Sequence, residues 1–136
     1  MAIRRWYLAI FFSKVFAIER DVHLFQKTVE RLQTLEARVH LRHGDGHQGW
    51  AEHGPYDAIV VSCALHLHHP DQPGFEDSLR PLLAPLFAQL SPLSCLVIPA
   101  GDAHEQRLCF FRRKHRDWDM VFDWPVRFVP LLAGVS

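Results

Sequence analysis

The chain has 136 residues, enough for a single domain that buries roughly two-thirds of its unfolded surface. Fifteen Lys and Arg balance fifteen Asp and Glu, so no whole-molecule field draws the chain to nucleic acid or to an anionic membrane. Three cysteines without metal-type spacing, Cys63, Cys95 and Cys109, argue against a disulfide framework and point to a reducing, cytoplasmic setting.

The opening MAIRRWYLAIFFSK imitates a secretory leader. Its apolar run spans only residues 6–12, Lys14 follows, and no small-residue cleavage site appears, so secretion is not expected. Residues 6–13 fit either a buried helix or a strand. No apolar run is long enough to span a bilayer. Residues 15–18 read as a short buried strand closed by Glu19 and Arg20. Asp21 is placed to cap a helix in which Val22, Phe25, Val29, Leu32 and Leu35 recur at helical spacing. In residues 37–41, Val39 and Leu41 alternate with polar neighbours, as in a half-buried strand.

Gly44, Asp45 and Gly46 then form a tight turn, in which glycine permits a positive φ and close approach of a ligand to the backbone. Residues 56–62, YDAIVVS, are a nearly unbroken apolar run of the kind buried on both faces of a parallel sheet. Residues 66–78, with Pro70, Pro73 and Gly74, read as a loop. An amphipathic helix is expected over 79–90, with Pro81 tolerable in its first turn and Pro85 kinking or shortening it. Residues 95–99 are another apolar strand. Residues 106–112 and 119–129 flank the charged turn RRKHRDWD and predict an antiparallel hairpin. The expected fold is one α/β domain over 1–136. Strands 15–18, 39–42, 58–62 and 96–99 share one mostly parallel sheet, and a carboxy-terminal antiparallel hairpin follows.

Open parallel sheets bind ligands at the carboxyl ends of their strands. Glu19 falls at such an end, where one carboxylate can accept from two vicinal ribose hydroxyls; the plainer reading is a solvated acid beside a helix. Asp45 falls at the next, where it suits an exocyclic amine such as the adenine N6, or is simply a turn residue. Trp50 either packs near such a nucleotide or fills the core under the loop, and core packing is preferred. The cluster HLHHPD offers His66, His68, His69 and Asp71, with His66 and His68 as a two-ligand clip for zinc on an extended segment. No second His/Cys cluster completes it, so a solvated loop is preferred. Cys63 reads as packing at a strand end rather than as a nucleophile.

Four stretches occur in order: VFAIER, RHGDGHQGW followed by PYDAIVV, LVIPAG, and VRFVPL. Together they resemble the protein-L-isoaspartate O-methyltransferase family. The resemblance implies a Rossmann-like fold and S-adenosylmethionine as cofactor. It also implies methyl transfer to the carboxylate of L-isoaspartyl residues in peptides or proteins, a repair reaction. It places Glu19 on the ribose, Asp45 with its flanking Gly44 and Gly46 on the adenine, and Val129 and Pro130 beside the isoaspartyl substrate. The catalytic residues stay unknown, since a carboxylate is already a nucleophile and positioning does most of the work.

Three features depart from the family pattern. No glycine precedes Gly44, so the first strand and its GxGxGY loop have no counterpart here. SCALHLHHP stands where the family has an Ala-Ala-Pro turn near the transferred methyl. Leu93 and Ser94 replace a paired glycine. The chain resembles a family member lacking its amino-terminal part, and it is expected to bind S-adenosylmethionine weakly or not at all. The alternative is a non-catalytic remnant or interaction module of the same fold; a metal-binding protein is a distant third.

Overall fold

The computed structural model describes residues 12–32 and 38–136, apart from the side chains of Phe122 and Asp123. The expected element over residues 6–13 and the helix position Leu35 lie wholly or mostly outside the described residues. The chain divides into two compact units, one drawn from Met1–Trp50 with Ala133–Ser136, the other Ala51–Leu132.

In the first unit, β1 (Val15–Glu19) and β2 (Val39–His43) pair in parallel, from Val15↔Val39 to Glu19↔His43. Between them runs α1 (Val22–Leu32). Its cap is the expected one: Asp21 Oδ1 accepts from the Leu24 N–H at 2.9 Å, satisfying one of the orphan donors at the helix start. The strand β1 is less buried than its apolar sequence suggests. Only Ala17 is fully buried, because β2 is its one strand partner among the described residues. The second strand ends at His43, beyond the expected Leu41.

The GDG turn is built differently from the expectation. Neither Gly44 nor Gly46 takes a positive φ; Asp45 instead caps a 3₁₀ turn, Gly46–Gln48, and Gly49 closes it at φ 64°. On the β1–β2 ribbon, Phe16 stacks on its cross-strand neighbour His40 at 4.8 Å and meets Trp50 edge-on at 5.7 Å. Arg42 lies over the same indole at 5.3 Å, so Trp50 is a packing residue of this unit.

The second unit is a five-stranded sheet. Its strands are β3 (Tyr56–Val60), β4 (Leu65–His66), β5 (Leu90–Gly101), β6 (Gln106–Lys114) and β7 (Asp117–Val126). The order is β3-β5-β6-β7, with β4 also on β5. Strands β3 and β4 run parallel to β5, whereas β6 and β7 follow it as an antiparallel meander. One helix, α2 (Phe75–Phe87), buries Phe75, Leu79, Leu83 and Leu86, a stripe at helical spacing. The same core contains Leu96, Ile98 and Ala100 from alternate positions of β5, Cys109 and Phe111 of β6, and Trp118 of β7. Arg80 ties the helix to the hairpin, pairing with Glu76, with Asp117 at 2.9 Å, and with the Trp118 carbonyl at 2.7 Å.

The parallel-plus-hairpin expectation holds in kind, and all four expected strand segments are strands. Among the described residues they belong to two hydrogen-bonded sheets rather than one, 15–18 and 39–42 to the first and 58–62 and 96–99 to the second. Among the described residues β3 pairs only with β5, so it is an edge strand with Val60 54% exposed, not a strand buried on both faces. The helix α2 starts four residues before the expected Leu79 and runs through both prolines. Pro81 and Asp77 are exposed, so the carbonyls that lose a proline N–H partner lie on the wet face.

Candidate functional site

In the first unit the carboxyl ends of β1 and β2 lie side by side. The Gly44 N–H donates to the Glu19 carbonyl at 3.0 Å, so the two acids predicted for a nucleotide stand on hydrogen-bonded backbone. The Glu19 carboxylate accepts from the Asp21 N–H at 3.1 Å. Asp45 Oδ1 accepts from the His47 N–H and from the His47 ring Nδ1, each at 2.9 Å. Its Oδ2 accepts from the Gly134 N–H at 2.9 Å. Burial pushes the Asp45 carboxyl up, but the Gly134 N–H, the His47 N–H and the His47 ring outweigh it and hold the group below its ordinary value. Asp45 is therefore an anion at neutral pH. A Cβ on Gly46 would meet nothing within 4 Å, whereas one on Gly44 would press on Arg42 Nε at 3.2 Å. Packing fixes Gly44, and the space over Gly46 is open.

Glu19 and Asp45 thus bring two hydrogen-bond-accepting side chains to adjacent strand ends.

Segment Ala133–Ser136 was not singled out in the sequence, yet it folds onto these strand ends. Ser136 donates to the Arg20 carbonyl at 2.9 Å and accepts from the Val22 N–H at 2.7 Å. The Gly134 carbonyl accepts from Arg20 Nε at 3.2 Å. His47 was also missed; its only sequence signal is its place two residues after Asp45.

In the second unit the predicted substrate residues Val129 and Pro130 are held by backbone. The Ala64 N–H donates to the Val129 carbonyl at 2.8 Å, the Leu131 N–H donates to the Ala64 carbonyl at 2.7 Å, and Pro130 bridges Ala64 in parallel. Gln106, overlooked in the sequence, grips the same segment. Its carboxamide accepts from the Phe128 N–H at 2.8 Å and donates to the Phe128 carbonyl at 3.3 Å. Val129 is 58% exposed.

The histidine stretch does not form the His66–His68 clip weighed against a solvated loop. His66 ends β4 and is exposed, while His68 buries Nε2 without a hydrogen-bond partner, edge-on to Phe75 at 5.6 Å. The donors that do converge are His69, Asp71 and Glu105, within 4.8 Å of one another. His69 Nδ1 accepts from the Asp71 N–H at 3.2 Å, which puts the ring proton on Nε2, 3.5 Å from Glu105. Arg107 pairs with Asp71 at 2.9 Å and with Glu105 at 2.8 Å. This charge network ties the loop after β4 to the start of β6.

Both units are α/β with parallel strand pairs, the elements of a Rossmann-like fold. Residues 7–136 match the family model "Protein-L-isoaspartate(D-aspartate) O-methyltransferase (PCMT)". The chain belongs to that family. It is 44% identical over 124 residues to a protein-L-isoaspartate O-methyltransferase of Methylorubrum extorquens, covering 90% of this chain and 48% of that one. It is 35% identical over 128 residues to one from Pseudoalteromonas atlantica, covering 93% and 53%. The chain thus spans about half the length of the curated relatives it matches.

Among solved structures, a protein-L-isoaspartate O-methyltransferase superposes with a TM-score of 0.70 at 18% identity, covering 90% of this chain and 35% of its own. A Plasmodium falciparum protein described as a beta-aspartate methyltransferase (PCMT) in complex with S-adenosyl-L-homocysteine gives a TM-score of 0.64 at 21% identity, covering 96% and 58%. Those two likenesses establish the fold. Among the described residues no helix is long and apolar enough to cross a membrane.

Proposed function

We propose that this chain supplies part of a cytoplasmic protein-L-isoaspartate O-methyltransferase: the acids for the adenosine of S-adenosylmethionine and the backbone-held segment beside an L-isoaspartyl peptide. The observation that carries this reading is the hydrogen bond joining Glu19 to Gly44, which sets the Glu19 and Asp45 positions on adjacent strand ends. Glu19 holds the ribose, and Asp45, between Gly44 and Gly46, holds the adenine. Val129 and Pro130 line the peptide. When bound, the cofactor supplies a methyl on a sulfonium. The isoaspartyl carboxylate, already a nucleophile, would be the acceptor of that methyl. The protein's share is alignment, and no described residue is assigned as a base.

A buried ligand owes affinity to enclosure as well as to hydrogen bonds, each of which nets only about 0.5–1.5 kcal/mol. Micromolar binding needs about 8 kcal/mol, beyond what two carboxylates supply. The test is a chemical-shift titration of the 136-residue chain with S-adenosyl-L-homocysteine, alongside a methylation assay on an isoaspartyl peptide. Weak binding that Asp45→Ala abolishes, with no turnover, is expected. Perturbations that survive both Asp45→Ala and Glu19→Ala would sink the assignment.

A second reading, a non-catalytic module of the same fold, is favoured by one observation. Both Asp45 oxygens are already engaged within the chain. No shift perturbation by the ligand at millimolar concentration would select it.

A further inference from the structure

Asp45 is the group assigned above to the adenine, yet one of its oxygens is taken by the chain's own backbone, the Gly134 N–H at 2.9 Å. Three more hydrogen bonds seat Ala133–Ser136 at the end of β1: Ser136 to Arg20, Val22 to Ser136, and Arg20 Nε to the Gly134 carbonyl. They anchor the segment to Asp45 just after β2 and to Arg20 and Val22 just after β1, the strand ends to which the reading above assigns the base and the ribose. We propose that Ala133–Ser136 is a built-in plug that competes with the nucleotide for Asp45 and must swing away before the adenosine can bind. The inference rests on the nucleotide reading of Glu19 and Asp45.

The chemistry of the contact is that of a stand-in. A backbone N–H offers Asp45 Oδ2 the same kind of donor that an adenine N6 amine offers. Oδ1 already carries two donors from His47, so an incoming amine is directed to Oδ2, the oxygen that Gly134 approaches. Gly134 makes the contact possible by adopting φ 74°, a conformation other residues resist, while a Cβ there would touch nothing within 4 Å. The device can therefore be released by substitution at one position without disturbing packing.

The opposite role for the segment is a wall of the pocket, and the two roles differ in sign. A plug closed about nine-tenths of the time weakens apparent affinity roughly tenfold, and opening it restores that factor. A wall, when removed, costs affinity. Gly134→Pro deletes the N–H and forbids the positive φ, so it opens the segment. Val135→Ala, at a side chain 56% exposed, leaves the segment closed and serves as the control.

The measurement is the dissociation constant of S-adenosyl-L-homocysteine for the full chain and both variants. Amide exchange at Ser136 is followed in the same samples. Support is about tenfold tighter binding by Gly134→Pro, no change in Val135→Ala, and faster Ser136 exchange in the unaltered chain once ligand is added. Binding by Gly134→Pro that is equal to or weaker than that of the unaltered chain overturns the plug and leaves the nucleotide site standing. Binding by none of the three proteins overturns both readings together.

Discussion

Substituting Gly101 by alanine tests how β5 turns into β6. Gly101 ends β5 at φ 153°, pairing with His66 on one side and Gln106 on the other. An added Cβ would stand 2.1 Å from the Glu105 carbonyl oxygen and 2.7 Å from the Gln106 Cα. Both obstacles are backbone, so no rotamer change relieves them. The turn is also held shut: Asp102 accepts from the His104 and Glu105 N–H groups at 2.8 Å each, and its own N–H donates to the Glu105 carbonyl at 2.9 Å. Forcing a methyl into close-packed surroundings costs about 1–3 kcal/mol, and a backbone region used essentially by glycine costs about 1–3 more. A central figure of about 4 kcal/mol, set against an unfolding entropy of roughly 0.2–0.3 kcal/mol/K for a unit of this size, lowers Tm by about 13–20 °C. Near-ultraviolet circular dichroism follows the loss, because Trp118 stacks on Phe87 at 4.6 Å in the same unit. Gly46→Ala is the matched control, with nothing within 4 Å and no positive φ, and it should be neutral or slightly stabilising. A melting point for Gly101→Ala within about 3 °C of the parent would refute the reasoning.

Leu79→Ala, which empties a fully buried site under the sheet, should cost about 2–5 kcal/mol in urea unfolding, while Leu93→Ala, at a side chain 97% exposed, should stay within about 0.5. Cys109 is buried, and burial pushes its thiol up to about 12. Iodoacetamide labelling read by mass spectrometry at mildly alkaline pH should spare it in the native chain and modify it in urea. The Asp45 carboxyl is held low in the folded chain, so its stabilisation is present above the ordinary carboxylate pKa and lost as pH falls through the folded value. The stability gap between the parent and Asp45→Asn, measured by urea midpoints, should therefore shrink as pH falls below the ordinary carboxylate range.

The parts of the site that lie within short runs were legible in the sequence. Glu19 follows an apolar run and Asp45 sits between glycines, so local pattern and resemblance agree on both. Asp21 was legible as a cap for the same reason. What stayed hidden depends on residues distant in the chain. The Asp45–Gly134 bond joins positions 89 apart, and the Gln106–Phe128 pair joins positions 22 apart. The start of α2 was misread because Pro73 and Gly74 weighed as loop. Glu76 and Asp77 in the first turn, where acids favour a helix N-terminus, were the overlooked signal. The apolar run of β3 announced a central strand, and an edge position cannot be read from a run that describes only its own faces.

The layout of β5 also sets an order of events during folding. The tightest pairings around it are local: Lys114↔Asp117 closes β6 on β7, and Gly101↔Gln106 closes β5 on β6. Ile59↔Leu96 joins β3 to β5 across 37 positions, with α2 in between. Short loops close in tens of nanoseconds and hairpins in microseconds, whereas a parallel crossover must first bring distant chain together. The meander β5-β6-β7 is therefore the nucleus, α2 condenses onto the face it presents, and β3 docks last. In a pulse-labelling exchange experiment, the amides of Leu96 and Phe111 should gain protection before that of Ile59; simultaneous protection would place β3 in the nucleus instead.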